Sequence, residues 1–229
     1  MSRNQMACCL ALALCLAVAS AALAGDIVTL PTANQLKADQ IELAYYRLDL
    51  NFRSPGAPSS AGLATAYWGI TNRLELDAWW VHWNHGAGSD VAINPSFLVL
   101  PETVATPAVV VGAQDITGAL PTGKVSYYVA AAKNVFHDPK RRFFPLIRLH
   151  GGVGTKMNNG LFGGVQAVVT GGLGLIILNS RNPLLDGNHW ITGLSYTFPR
   201  IPLVVKGGTL GRHAWIGAAY TLTIPTPVP

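Results

Sequence analysis

Arg73-Leu-Glu-Leu-Asp-Ala-Trp-Trp80 decides the fold class. Leu74, Leu76, Ala78 and Trp80 share one face of an extended backbone and Arg73, Glu75 and Asp77 share the other, because successive side chains of a strand point to opposite sides. Outward from this stretch the same alternation recurs at about 40–50, 62–71, 73–84, 89–100, 106–117, 123–136, 143–155, 161–170, 172–181, 188–198, 202–210 and 213–224. Gly, Pro, Asn and Asp separate these segments, and none has a 3.6-residue period. The reading is all-β. Twelve strands, an even number, suit a closed antiparallel up-and-down barrel with both termini on one side. Their lengths, roughly 9 to 12 residues, are what a tilted strand needs to cross a bilayer and exceed the usual strand of a soluble sheet.

Alternation alone does not say which face is wet. A soluble barrel buries its apolar face inside, whereas a membrane barrel turns that face to lipid and keeps the polar face in the lumen. Composition separates the two. The 229 residues carry 16 Lys and Arg and 11 Asp and Glu, or 12% charged, about half the share of a soluble domain. So few charges cannot cover the outer wall of a soluble twelve-stranded barrel. They also exclude a dense Lys/Arg nucleic-acid surface, while 24 Gly and 15 Pro exclude a long helical bundle. Connection lengths agree. With the N-terminus on the periplasmic side, the longer connections, such as 51–61, fall mostly outside, and no outward loop is long enough to form a large lumen plug. The six-residue turn His137-Asp-Pro-Lys-Arg-Arg142 is the exception on the periplasmic side.

Residues 1–24 read as a secretory signal, with Arg3 in a short n-region, an apolar run from Ala7 to Ala22 and an Ala22-Leu-Ala24 cleavage site. Cys8, Cys9 and Cys15 leave with it, so no thiol chemistry or disulfide is expected in the mature chain, whose net charge falls to +4. Residues 25–39 are expected as a periplasmic segment, 40–224 as the barrel and 225–229 as a Pro-rich tail that cannot extend the last strand. Gly160–Asn179 is apolar enough to suggest a membrane helix, but its six glycines and Thr170-Gly-Gly172 favour two strands and a tight turn.

Two local patterns carry a resemblance. Gly25-Asp-Ile-Val-Thr-Leu-Pro-Thr-Ala33 followed by Ile41–Tyr46, then Gly112-Ala-Gln-Asp-Ile-Thr-Gly118, Tyr127-Tyr-Val-Ala-Ala-Ala-Lys133 and Leu149-His-Gly-Gly-Val-Gly154, resemble in order the YjbH-like outer-membrane β-barrels. That resemblance implies a role in exopolysaccharide production. At the C-terminus Gly217-Ala-Ala-Tyr220-Thr-Leu222 is similar to the β-signal read by the barrel-assembly machinery, which implies Gly217, Tyr220 and Leu222 as its residues.

The alternation assigns Glu42, Arg47, Asp49, Glu75, Asp77, Gln114, Arg148, His150 and Lys206 to the lumen, where mixed signs favour cross-strand pairing over an ion-selective lining. Phe52, Trp83, Phe136, Phe143, Phe144, Trp190, Phe198 and Trp215 lie near strand ends and are expected as aromatic girdles at the headgroup levels. Ile41 and Leu43 are out of phase with Leu48 and Leu50, which predicts a β-bulge at Tyr45–Tyr46. Asp115 is out of phase with a lumen position. His82 and His85 lack companions for a metal or a hydrolase, and Gly151-Gly-Val-Gly-Thr-Lys156 lacks the order of a phosphate loop, so neither catalysis nor a cofactor is expected. Lys140-Arg-Arg142 reads first as a solvated turn and second as a contact for anionic headgroups. The expected partners are outer-membrane lipid, the assembly machinery, and polysaccharide or small polar solutes. The rival readings are a structural or adhesion barrel with a filled lumen, a lipid-modifying barrel enzyme, and a soluble periplasmic barrel for an apolar ligand.

Overall fold

The computed structural model describes residues 30–49, 59–84, 88–120, 123–181 and 188–224. Twelve strands run through them: β1 (Gln40–Asp49), β2 (Ser60–Gly69), β3 (Leu74–Trp83), β4 (Ser89–Leu100), β5 (Ala108–Gln114), β6 (Ser126–His137), β7 (Leu146–Gly154), β8 (Gly160–Thr170), β9 (Leu173–Arg181), β10 (Asn188–Thr197), β11 (Leu203–Leu210) and β12 (His213–Thr223). Each pairs antiparallel with its chain neighbour, and β1 pairs with β12 from Gln40↔Thr223 to Leu48↔Trp215, so the sheet closes with no free edge. The expected signal 1–24, residues 25–29, Phe52, His85 and the tail 225–229 lie outside the described residues.

The apolar stretch at 160–179 forms β8 and most of β9, joined by Gly171 and Gly172 at φ 53° and 88°. No described helix is long and apolar enough to cross a membrane. The structure differs from the expected phase at two places, in β1 and at the end of β5. The register of β1 runs unbroken against both β2 and β12, so there is no bulge at Tyr45–Tyr46. Leu48 points inward, into an apolar layer of the interior, and the change in hydrophobic phase along β1 reflects that layer instead of a backbone irregularity. The register shifts fall at Leu98/Leu100, Asn134/Phe136 and Val168/Thr170. All three sit near the end of the barrel where β1 begins, and bulges at a rim add local twist. At Asp115 the backbone leaves β5 with φ 55°, which ends that strand earlier than the alternation implied.

Alternation sorts the side chains into a wall and a filling. Large apolar residues cover the outside, among them Leu43, Trp80, Val91, Val129, Leu149, Ile177, Leu194, Ile216 and Leu222. A twelve-stranded barrel encloses more room than the eight-stranded kind that side chains just fill. Here large rings take up that room. Tyr46, Tyr67 and Trp79 are almost fully buried inside, with Trp83, Trp215, Phe162 and Tyr128 close behind. Glycines on adjacent strands make space for two of these rings. A Cβ at Gly217 of β12 would overlap the Tyr46 ring of β1, and one at Gly112 of β5 would overlap Tyr128 of β6.

Candidate functional site in the barrel lumen

The interior is divided along its axis. In the half far from the start of β1, Leu48, Leu63, Trp79, Val81, Trp83, Leu178, Ile191, Leu210 and Trp215 form one apolar cluster. The half near the start of β1 carries buried Glu42, Glu75, Asp77, Asn94, Ser96, Arg148, His150, Gln166, Lys206 and Thr221. Buried groups of this kind need partners at close range. Arg148 supplies several: its Nη1 donates to Glu102 and, at 2.8 Å, to Asn134 Oδ1, and its Nε donates to Asn34 Oδ1 at 2.7 Å. Glu102 reaches in from the β4–β5 connection, where Lys133 Nζ lies 3.5 Å from its Oε1 and the Asn134 N–H donates to the same atom at 2.7 Å. Burial would raise the Glu102 carboxyl, but the Asn134 N–H and the two cations outweigh it and hold it below the ordinary carboxylate range. His150 Nε2 lies 2.7 Å from Gln166 Oε1. Glu42 accepts the Thr221 hydroxyl at 3.3 Å, with Lys206 as the opposite charge.

The N-terminal segment completes this half. Leu30, Thr32, Ala33 and Leu36 are all buried, and Leu30 and Ala33 belong to the interior cluster. The Leu36 N–H donates to Glu75 Oε2 at 2.7 Å, Gln35 Nε2 to Ser96 Oγ at 2.9 Å, and Asn34 bridges Arg148 to Gln166. Residues 30–36, expected in the periplasm, therefore lie inside the lumen. At the far end two connections tuck in a residue each. Leu120 and Met157 are buried in the cluster, and Asn158 Nδ2 donates to Gln114 Oε1. Asp115 sets the first of them. Its carboxylate accepts the N–H groups of Ala119 and Leu120 at 2.9 and 3.0 Å and the Thr117 hydroxyl at 2.9 Å, while its own N–H donates to Asn94 Oδ1. The motif Gln-Asp-Ile-Thr-Gly is thus a loop organiser.

Of the nine residues assigned to the lumen, Glu42, Glu75, Asp77, Gln114, Arg148, His150 and Lys206 point inward. Arg47 and Asp49 do not. Strict alternation along β1 places them on the outer face at its far end, where their side chains are 65% and 61% exposed and 4.0 Å apart. Of the girdle residues, Trp83 and Trp215 are corrected as well. Both are buried inside, and Trp83 Nε1 donates to Asp90 Oδ2 at 2.7 Å. Trp190 faces outward near the far end. Phe136, Phe143, Phe144 and Phe198 lie at the end where β1 begins, with Phe198 edge-on to Tyr196 at 5.0 Å. Exposed rings that the sequence reading passed over complete both levels: Trp68, Phe97, Tyr196 and Tyr220 at the near end, Tyr45, Trp80 and Tyr127 toward the other. Parity counted from Glu75 and Asp77 through each strand would have found them. Gly217 points inward, whereas Tyr220 and Leu222 face out from the closing strand. His82 is exposed and lies 2.9 Å from Ser89 Oγ, and no group of three metal-ligating side chains occurs among the described residues.

A twelve-stranded, closed antiparallel barrel with an apolar outer wall is the architecture of a transmembrane β-barrel. Among solved structures the chain is similar to "KdgM porin", with a TM-score of 0.50 and 14% identity over 79% of this chain and 98% of that one. At that identity the likeness is one of fold. No protein-family model matches the chain, and no curated protein matches it.

Proposed function

We propose that this protein is an outer-membrane barrel of porin-like build that serves envelope polysaccharide export as a closed accessory barrel, without standing open as a diffusion pore. The membrane reading is supported by the apolar outer wall with exposed rings near both ends. The closed state is supported by one observation above others. The far half of the lumen is filled by ring and aliphatic side chains, and the near half by the segment 30–36 and its polar partners. The polysaccharide setting rests on the resemblance to YjbH-like barrels. Planar-bilayer recordings of the purified barrel test the closed state: no conductance steps are expected, and stable steps at modest voltage overturn it. Deletion of the gene in a polysaccharide-producing host tests the setting by the amount of polymer released.

A second reading, passage of small polar solutes, is favoured by the charged near half, which carries Glu42, Glu75, Asp77, Arg148 and Lys206. It requires displacement of residues 30–36. A variant lacking them separates the readings. Steps that appear only in that variant assign the segment as a gate and overturn the closed far half; silence in both forms supports the accessory barrel. Heat-modifiable migration on gels and recovery with outer membranes are expected in every case, and recovery as a soluble periplasmic protein removes both readings.

A further inference from the structure

The turn between β6 and β7 is longer than the hairpin turns beside it and is used by nothing described above. Lys140, Arg141 and Arg142 are exposed there, together with Phe143 at 56% and Phe144 at 43%. The Arg141 guanidinium lies 5.1 Å from the centre of the Phe136 ring, and that of Arg142 lies 5.6 Å from the Phe143 ring. A cation stacked on a ring is held at one level and loses rotational freedom. The turn that displays them is itself fixed. Asp138 accepts the Lys140 N–H through Oδ1 at 3.1 Å and the Arg141 N–H through its carbonyl at 3.1 Å, and the Phe144 N–H donates across to Val169 on β8 at 2.8 Å. Phe144 is held at φ 52°, a conformation that a bulky residue seldom adopts, with its ring outward. Three cations and two exposed rings thus stand on a rigid turn just beyond the outward rings Trp68, Phe97, Tyr196 and Tyr220, at the depth where headgroups begin.

We propose that the 138–145 turn is a binding site for the phosphate of anionic phospholipid in the leaflet at the N-terminal end of the barrel. The rings enter the boundary layer, and the stacked guanidiniums, which can each take a phosphate through two N–H groups, hold the headgroup. Asp138 is the acidic residue of the turn, and its carboxylate accepts the Lys140 N–H. The proposal does not depend on the role of the lumen. The purified full-length barrel, in micelles containing equal amounts of phosphatidylglycerol, phosphatidylethanolamine and lipid A, is examined by native mass spectrometry. Retention of phosphatidylglycerol over phosphatidylethanolamine by at least about fivefold is expected at low salt, the preference that one well-placed cation confers near an anionic surface. That preference falls to near unity in K140Q/R141Q/R142Q and persists in K124Q/R212Q, which removes two cations at the far end. Heat-modifiable migration reports whether each variant is folded. If the triple variant does not fold, 0.5 M salt applied to the wild type should erase the preference instead. A triple variant as selective as the wild type, equal loss in K124Q/R212Q, or retention of lipid A over phosphatidylglycerol overturns the proposal.

Discussion

Arg148 shows how a charge is tolerated inside this barrel. Its guanidinium meets one carboxylate and two carboxamides, drawn from the β4–β5 connection, β6 and the N-terminal segment. Removing it takes a charged partner from all three, and Arg148→Ala is expected to cost about 2 to 3 kcal/mol, less than a fully buried pair because Glu102 keeps some solvent and its contacts with Lys133 and the Asn134 N–H. Urea midpoints of the refolded barrel would measure this. Glu102 adds a pH dependence whose sign follows from its depressed carboxyl. Its contribution is present above the ordinary carboxylate range and is lost as pH falls through the lower value in the folded protein. Stability should therefore drop on acidification below about pH 4, and Glu102→Gln should flatten that drop while lowering stability at neutral pH. An acid limb as steep in Glu102→Gln as in the wild type would locate the titration elsewhere. Sequence alternation placed Arg148 of β7 in the lumen and passed over Asn134 of β6. It could not reveal Asn34 or Glu102, because neither lies on a strand and their approach to Arg148 depends on how two connections fold back.

At the scale of elements, the seam between β1 and β12 carries a lock. The Tyr46 ring covers Gly217, and a side chain there would have to displace it. Gly217→Val is expected to destabilise the closing pair by about 1 to 3 kcal/mol and to lower the heat-modifiable fraction recovered from outer membranes. Tyr46→Ala in the same chain should restore part of it by removing the ring that clashes. Restoration distinguishes a packing fault from loss of a recognition signal, which the second change would not repair. Strand number, order and approximate bounds were legible because twelve runs of alternation leave few other ways to satisfy the backbone. Tyr45 and Tyr46 were misjudged for a physical reason. The interior is not uniformly polar, so hydrophobicity stops reporting direction in the far half, where Leu48, Trp83 and Trp215 all point inward. Parity alone still holds there, and it also sends Arg47 and Asp49 out to the rim.

For the whole molecule, the division of the lumen into a charged half and an apolar half sets what a deletion can do. Removing residues 30–36 unburies Glu75, Arg148 and Gln166 but leaves the layer around Trp79, Trp83 and Trp215 in place. Loss of the segment alone is thus expected to raise water access to the near half without opening a continuous path. Hydrogen exchange should rise at the near ends of β3, β7 and β8 and stay slow at the far ends. A uniform rise along those strands would mean that the barrel itself had loosened. The closing seam has a consequence of another kind, in time. Gln40 pairs with Thr223, so the ladder at the start of the first strand waits for the end of the last one. Neighbouring hairpins can form as the chain emerges, but the cylinder cannot exist until nearly all of it has been made and delivered. Until then both edge strands are open templates for the wrong partner. On the outer-membrane reading proposed above, a chain with this connectivity reaches its membrane unfinished, and its yield should depend more on how it is escorted there than on the stability of the barrel it finally becomes.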